Sequence, residues 1–173
     1  MLSFLNPEWW QRLRHRRGFG VHSPSAYRFI TEVLNERLPY YGYERLDSLD
    51  ADPHLARLLF RVLVATGPRR VGILCADPAR RIILEDITKA ALPHAGLFAS
   101  SGSSDFVIVD SDSGEEFPGR LGSKGAFIID SDRRRRRRSL DGLTSGSSFD
   151  NGRGIAVVTI NSGIPRQHFN VKF

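Results

Sequence analysis

The sequence predicts an α/β protein in which a mostly parallel sheet follows a helical N-terminal region. Two observations predict this fold. The apolar periodicity is helical up to about residue 66, and from residue 69 it changes to short continuous apolar runs bounded by Asp, Ser and Gly. Such runs are typical of strands buried on both faces of a parallel sheet. We therefore divide the chain into a helical region, residues 1–66, and a sheet region, residues 67–173, which together form one compact unit.

The composition is that of a globular protein with excess positive charge. Hydrophobic residues make up 40% of the 173 residues, the formal net charge is +6, and almost all of the cations are arginine. No apolar run approaches the roughly 20 residues of a membrane-spanning helix, and the N-terminus lacks the apolar core of a signal peptide. With a single cysteine, Cys75, these features lead us to expect a cytoplasmic protein without a transmembrane segment.

Four helix starts are marked by a capping residue followed directly by proline. A capping side chain accepts a backbone N–H of the first turn, and proline fits the first helical position. The pairs are Asn6 with Pro7, Ser23 with Pro24, Asp52 with Pro53, and Asp77 with Pro78. The last two predict helices over residues 53–66 and 78–92, the former ended by Gly67. A further helix is expected after Asp132.

The strand candidates occupy the second half of the chain. They lie at residues 71–75, 106–109, 126–129 and 155–160, with a weaker one at 97–99 and a final one in the tail QHFNVKF. We expect the strands at 71–75, 106–109 and 126–129 to be neighbours. The strands that begin near Ile155 and Phe169 are expected to form an antiparallel closing pair.

Several of these segments carry a family resemblance. GFGVHSP at 18–24 and YYGYERL at 40–46 are similar to the N-terminal region of a group of bacterial class I S-adenosylmethionine (SAM) dependent methyltransferases. FVIVDSD and GAFIIDSD resemble that family's fourth and fifth strands, each of which ends in an acid, and GRGIAVVTIN and RQHFNVKF resemble its closing hairpin and C-terminal strand. The resemblance covers roughly residues 15–66 and 105–173. It implies a Rossmann-like sheet, in a shortened form.

The segment that would bind SAM departs from the family pattern. The family holds SAM on a glycine-rich turn after its first strand, because a Cβ there would block close approach of the backbone to the ligand. Here the turn reads Cys75, Ala76, Asp77, Pro78, and Gly72 lies inside the strand instead. Asp77 is placed to cap the next helix with its own carboxylate, where the family receives the carboxylate of the cofactor.

The chain is also too short for the adenosine half of such a site. Between Leu92 and Phe106 there is no room for two strands and the helices that would join them. At most one short strand fits, and no acid follows it to hold a ribose. The resemblance therefore implies a degenerate cofactor site made of Cys75, Asp77 and Asp110. We expect no cofactor, with SAM bound no more tightly than millimolar.

Four aspartates suggest a second kind of site. Asp110 and Asp112 follow one predicted strand, and Asp130 and Asp132 follow another. Neighbouring parallel strands would gather these carboxylates at one edge of the sheet, and such oxygen ligands suit Mg²⁺ or Ca²⁺. The alternative is that they end strands and cap helices through turn chemistry alone.

Six consecutive arginines form the most conspicuous run. They are Arg133, Arg134, Arg135, Arg136, Arg137 and Arg138. On a helix six consecutive side chains cover every side, so some must face the sheet or a partner. The run is a candidate anion site for nucleic acid or another polyanion, which would be bound without sequence preference. A solvated helix start and contact with the acidic face of a partner protein are the other interpretations.

Three functions follow from these patterns. The first is a methyltransferase-like protein that has lost SAM binding and acts as a structural or interaction module, with a protein partner or in a homo-oligomer. The second is an active minimal SAM-dependent methyltransferase helped by a divalent metal. The third is an arginine-driven binder of polyanions. The missing glycine turn and the missing strands favour the first.

Overall fold

The computed structural model describes residues 23–114, 122–141 and 143–173. Within them the helices are α1 (Pro24–Phe29), continued by a π-helical turn (Ile30–Leu34), α2 (Tyr43–Leu46), α3 (Pro53–Thr66), α4 (Pro78–Ala91) and α5 (Arg133–Asp141). In these ranges no helix is both long enough and apolar enough to cross a membrane. The predicted helix that starts at Pro7 and most of the GFGVHSP segment lie outside the described residues.

The helix boundaries follow the local capping signals. The side chains of Ser23, Asp52 and Asp77 each accept a backbone N–H from the first turn of α1, α3 and α4, respectively. Helix α3 ends at Gly67, which adopts the left-handed conformation (φ 52°) that favours glycine. The predicted starts at these three positions, and the predicted end of α3, are confirmed.

Seven strands form one sheet in the order β2-β1-β3-β4-β6-β5-β7. Their bounds are β1 Arg70–Cys75, β2 Gly96–Phe98, β3 Phe106–Asp110, β4 Gly125–Ile129, β5 Ser147–Asp150, β6 Ile155–Thr159 and β7 Gln167–Asn170. Among these seven strands β6 alone runs against its neighbours. The chain is thus an α/β protein with a mostly parallel mixed sheet, and the predicted adjacency of β1, β3 and β4 is confirmed.

The end of the sheet differs from the predicted closing pair. Strands β6 and β7 are not neighbours, because β5 lies between them, antiparallel to β6 and parallel to β7. The sequence of β5, SSFD, contains only one apolar residue, Phe149, so no apolar run marked it as a strand. Its buried polar side chains have internal partners instead: the Ser148 hydroxyl lies 2.9 Å from Nδ1 of His168, and Asp150 pairs with an arginine of α5.

A short loop takes the place of a crossover helix between β2 and β3. Parallel strands normally need a connection of a dozen or more residues, yet residues 99–105 suffice here. Phe98, the last residue of β2, is aligned with Gly72 of β1, and the first residue of β3 is aligned with the residue before Gly72. The loop therefore only has to cross β1. It passes directly over Gly72, where a Cβ would lie 2.7 Å from the carbonyl oxygen of Ser100 and 2.7 Å from the Ser104 hydroxyl. One short strand therefore fits in this stretch, as expected.

The strands bury both faces of the sheet. Alternate residues of β3 point to opposite sides, Phe106 and Ile108 toward α1, α3 and α4, and Val107 and Val109 toward α5. All four are 0% exposed, which is the burial expected for a continuous apolar run. Apolar side chains of the helical region and of the sheet share the first of these cores.

Replacing Gly72 with alanine tests the close crossing. The added methyl group would meet the backbone of the loop, so we expect the free energy of unfolding to fall by about 1–3 kcal/mol, the usual cost of overpacking. Gly102→Ala is the matched control, because a Cβ at that position in the same loop has no atom within 4 Å. Urea unfolding measures both variants. If the two variants have the same free energy of unfolding, the loop does not pass closely over Gly72.

Candidate functional site at the carboxyl ends of the strands

The carboxyl ends of β1, β3 and β4 bring together the residues that the sequence singled out. Cys75 and Asp110 are paired across β1 and β3, and Asp130 directly follows β4. All three are buried, with exposures of 2%, 0% and 0%. From β1 the chain passes through α4 to β2 on one side of β1, and then returns to β3 on the other side. Open α/β sheets bind ligands at such a reversal of strand order.

Asp110 forms a salt bridge at this edge and keeps one oxygen unpaired. Its Oδ2 lies 2.7 Å from Nε of Arg80 and 3.6 Å from Sγ of Cys75. Its Oδ1 is buried and has no hydrogen-bond partner among the described residues. Burial raises the pKa of the Asp110 carboxyl above its ordinary value, and the Arg80 guanidinium opposes this rise only in part.

The Cys75 thiol is buried between two aspartates. It donates to the backbone oxygen of Asp77 at 3.3 Å as well as lying near Asp110. Burial raises the pKa of the thiol, with a smaller contribution in the same direction from the charge of Asp110. Because the thiolate is the reactive form of cysteine, this environment does not produce a nucleophile.

The turn between β1 and α4 is closed by the protein's own side chains. The N–H of Ala76 donates to the Ser113 hydroxyl at 2.9 Å, and that hydroxyl donates to the backbone oxygen of Asp110 at 2.7 Å. Asp77 Oδ1 accepts the N–H groups of Ala79 at 2.8 Å and Arg80 at 3.3 Å, so the predicted cap is confirmed. The amides that would receive a ligand carboxylate are therefore already bonded. The sequence did not indicate that Ser113 belongs to this site, because no local pattern distinguishes it from other serines in turns.

A second set of contacts ties the end of β3 to the end of β4. Nε and Nη2 of Arg135 bond the two oxygens of Asp130 at 2.7 and 2.8 Å, a bidentate pair. The Ser131 N–H and hydroxyl both donate to Asp112 Oδ1, at 2.8 and 2.7 Å. Asp132 caps α5, and hydrogen bonds from the backbone N–H groups of its first turn lower the pKa of this carboxyl.

These contacts give each of the four predicted metal ligands a partner within the protein. Asp110 and Asp130 bind arginines, Asp112 accepts from Ser131 and lies 3.7 Å from Nη2 of Arg135, and Asp132 caps a helix. Within the ranges that the structure describes, no three His, Cys, Asp or Glu side chains are placed to hold a metal ion together. Turn and capping roles thus account for Asp112 and Asp132, and the metal site stays a prediction.

One arginine of the six-residue run faces the sheet. Arg136 is 0% exposed, and its Nε lies 3.1 and 3.2 Å from the two carboxylate oxygens of Asp150, while Nη1 donates to the backbone oxygen of Asp130. Arg135 is also directed inward, to Asp130. The expectation that part of the run faces the sheet is confirmed. Arg136 is therefore not available to an outside anion, and the exposed members of the run are Arg133, Arg134, Arg137 and Arg138.

Arg136→Gln tests the buried pair. Removing one partner leaves the Asp150 carboxylate uncompensated in the interior, so we expect the free energy of unfolding to fall by about 3–5 kcal/mol. Arg137→Gln removes the same charge from an exposed neighbour and should change stability by no more than about 0.5 kcal/mol. Chemical denaturation of both variants gives the comparison. If Arg136→Gln is as stable as Arg137→Gln, the pair is not structural.

Asp110→Asn tests the raised pKa by its pH dependence. Since the folded protein holds a proton on Asp110 more readily than the unfolded chain does, the wild type should gain stability relative to the variant as the pH falls through the folded-state pKa. The gain should level off below the ordinary value of 3.8. Urea unfolding of both proteins between about pH 7 and about pH 4 measures the difference. A wild type that loses stability relative to the variant as the pH falls would show that the pKa is lowered instead.

The known proteins do not supply a function for this arrangement. No family model, no curated protein and no solved structure matches this chain. Its function is therefore argued from the residues and contacts described above.

Proposed function

We propose that this protein is a methyltransferase-like, Rossmann-like module that has lost SAM binding and serves a structural or interaction role. The observation that carries the proposal is the closed turn after β1. Ser113 and Asp77 occupy the backbone amides that a SAM carboxylate would need.

The strand order supports the resemblance on which this proposal depends. The parallel strands β1, β3 and β4 lie side by side, and the antiparallel β6 next to β4 is compatible with the closing hairpin of the methyltransferase family. At the end of β2, where an acid would hold the ribose of SAM, the chain continues with Ala99 and Ser100. The adenosine half of the site thus lacks its anchoring group.

The chemistry of the turn opposes a SAM carboxylate in two ways. To reach the N–H of Ala76, the carboxylate would have to displace the Ser113 hydroxyl, which gives up a hydrogen bond worth about 0.5–1.5 kcal/mol. It would also approach the carboxylate of Asp77 at the start of α4. The two carboxylates would repel each other. The positive end of the α4 dipole would not compensate for this repulsion, because it already interacts with Asp77. The residues present do not fit the cofactor.

One observation favours the second candidate, an active minimal methyltransferase. The buried Oδ1 of Asp110 has no partner in the described part of the chain, and a buried acceptor without a donor costs free energy. A ligand that donates a hydrogen bond at this edge would satisfy it.

Titration of SAM and of its demethylated product by calorimetry separates the two candidates. We expect dissociation constants no tighter than millimolar for the wild type. Asp77→Asn is the informative variant, because asparagine keeps the helix cap and removes the negative charge. It should bind no better, since Ser113 still closes the turn. Micromolar binding by the wild type would overturn the proposal, and micromolar binding by the variant alone would mean that charge, and not the closed turn, excludes SAM.

A further inference from the structure

We infer that a cavity lined by arginines, between α3 and the ends of β5 and β7, binds a small organic phosphate. The cavity has a volume of about 620 Å³. Its wall is formed by the loop after the π-helical turn, the first turns of α3, the turn between β5 and β6, and the residues after β7. Five cations line it: Arg37, Arg57, Arg61, Arg153 and Lys172. This inference goes beyond the proposed function and does not depend on whether SAM binds.

The cavity lies on the side of the sheet where ligands of α/β proteins bind. Arg153 follows the carboxyl end of β5, and Lys172 follows the carboxyl end of β7. Helix α3 runs toward the start of β1, so its first turn, with His54, lies at this same end. The Asp52 carboxylate already caps this first turn, so the cations of the cavity come from side chains and not from the helix dipole. The site is separate from the β1–β3–β4 edge described above.

Arg61 provides a buried positive charge at the wall. It is 8% exposed, and its three donor nitrogens bond neutral oxygens: the carbonyls of Val33 at 2.7 Å and Leu34 at 3.2 Å, and the Tyr43 hydroxyl at 3.2 Å. It forms no salt bridge with any carboxylate of the described residues. Buried charges are normally paired, because the interior solvates them poorly. The charge of Arg61 slightly lowers the pKa of Glu36 but forms no direct ion pair, so it would also attract an anion in the cavity.

Arg57, one turn earlier on the same face of α3, has an unmatched donor. Its Nη2 pairs with Asp47 at 2.7 Å, and its guanidinium lies 5.2 Å from the centre of the Tyr43 ring. Its Nε, however, is buried and finds no acceptor among the described residues. Because this nitrogen has no surface open to the cavity, it gives no information about a ligand, and Arg57 contributes to the site through its positive charge.

Three exposed cations complete the cluster. The side chains of Arg37, Arg153 and Lys172 form no hydrogen bond or ion pair with the described residues. The acid in the wall, Glu36, accepts the N–H groups of Arg37 at 2.6 Å and Leu38 at 2.8 Å. These hydrogen bonds lower the pKa of Glu36, and the carboxylate interacts mainly with the backbone of its own loop. Five cations thus lie near three carboxylates, those of Glu36, Asp47 and Asp52, and the excess positive charge suits an anionic ligand.

The remaining walls indicate an organic ester and not a bare ion. Leu34, Leu38, Tyr43 and Phe173 contribute apolar surface beside the cations. The guanidinium fork matches phosphate oxygens in a bidentate manner, and small-molecule sites typically occupy about 300–1,000 Å³. A phosphate group with an attached apolar ring matches both the positive charge and the apolar wall of the cavity.

Binding of phenyl phosphate, measured by calorimetry at constant ionic strength, tests the inference. We expect it to bind more tightly than inorganic phosphate, and the neutral benzyl alcohol not to bind. The double variant Arg153→Gln with Lys172→Gln removes two exposed cations without touching the core and should weaken binding about tenfold or more. The matched control, Arg134→Gln with Arg138→Gln, removes the same charge from α5 and should bind as the wild type does.

Four results would overturn the inference. Absence of binding of phenyl phosphate at millimolar concentration would exclude the site. Equal binding of phenyl phosphate and inorganic phosphate would mean a simple phosphate site, and equal weakening by the α5 control would mean a general charge effect. Retention of a single-stranded oligonucleotide without binding of phenyl phosphate would favour a polyanion surface instead. The melting temperatures of both double variants without ligand should equal that of the wild type, which separates lost binding from lost folding.

Discussion

The buried ion pair between Arg136 and Asp150 is the contact on which the closing half of the sheet depends. Both side chains lie in the interior, where an unpaired charge is costly, so neither can be there without the other. Through Nη1 the same guanidinium also bonds the backbone at the end of β4. One side chain of α5 thereby joins the helix to β4 and to β5. Strand β5 in turn pairs with the edge strand β7 on one side and with β6 on the other side.

This pair is one of three in which a strand ends in an aspartate that binds an arginine from a helix. Asp110, the last residue of β3, binds Arg80 of α4, and the aspartates directly after β4 and at the end of β5 bind Arg135 and Arg136 of α5. The three strands therefore end in neutralised carboxylates. At the edge where parallel sheets usually bind ligands, the polar groups of this protein mainly form hydrogen bonds and ion pairs with one another.

Unmatched positive charge gathers at a different place. The cations of the cavity beside α3 come from segments that are distant in sequence, and two of them, Arg57 and Arg61, lie on one face of a single helix. The contrast between the two regions has a simple electrostatic basis. At the strand ends each of these carboxylates has a nearby guanidinium, whereas in the cavity the buried guanidinium of Arg61 is held by carbonyl and hydroxyl oxygens that carry no net charge. The first arrangement closes a site, and the second leaves one open to anions.

The amino-acid sequence by itself determined the features that depend on near neighbours in the chain. The caps at Ser23, Asp52 and Asp77, the end of α3 at Gly67 and the buried apolar strands β1, β3 and β4 all follow from patterns a few residues long. The presence of only one short strand between α4 and β3 also follows from the sequence, because that stretch is too short for a second strand and its connections. Only the tertiary structure decided the rest. Strand β5 has no apolar run and is stabilised by hydrogen bonds and an ion pair from distant residues, which is why β6 and β7 were wrongly expected to pair. Packing between elements likewise decides which arginines of the run turn inward and which segments enclose the cavity, and no local pattern carries that information.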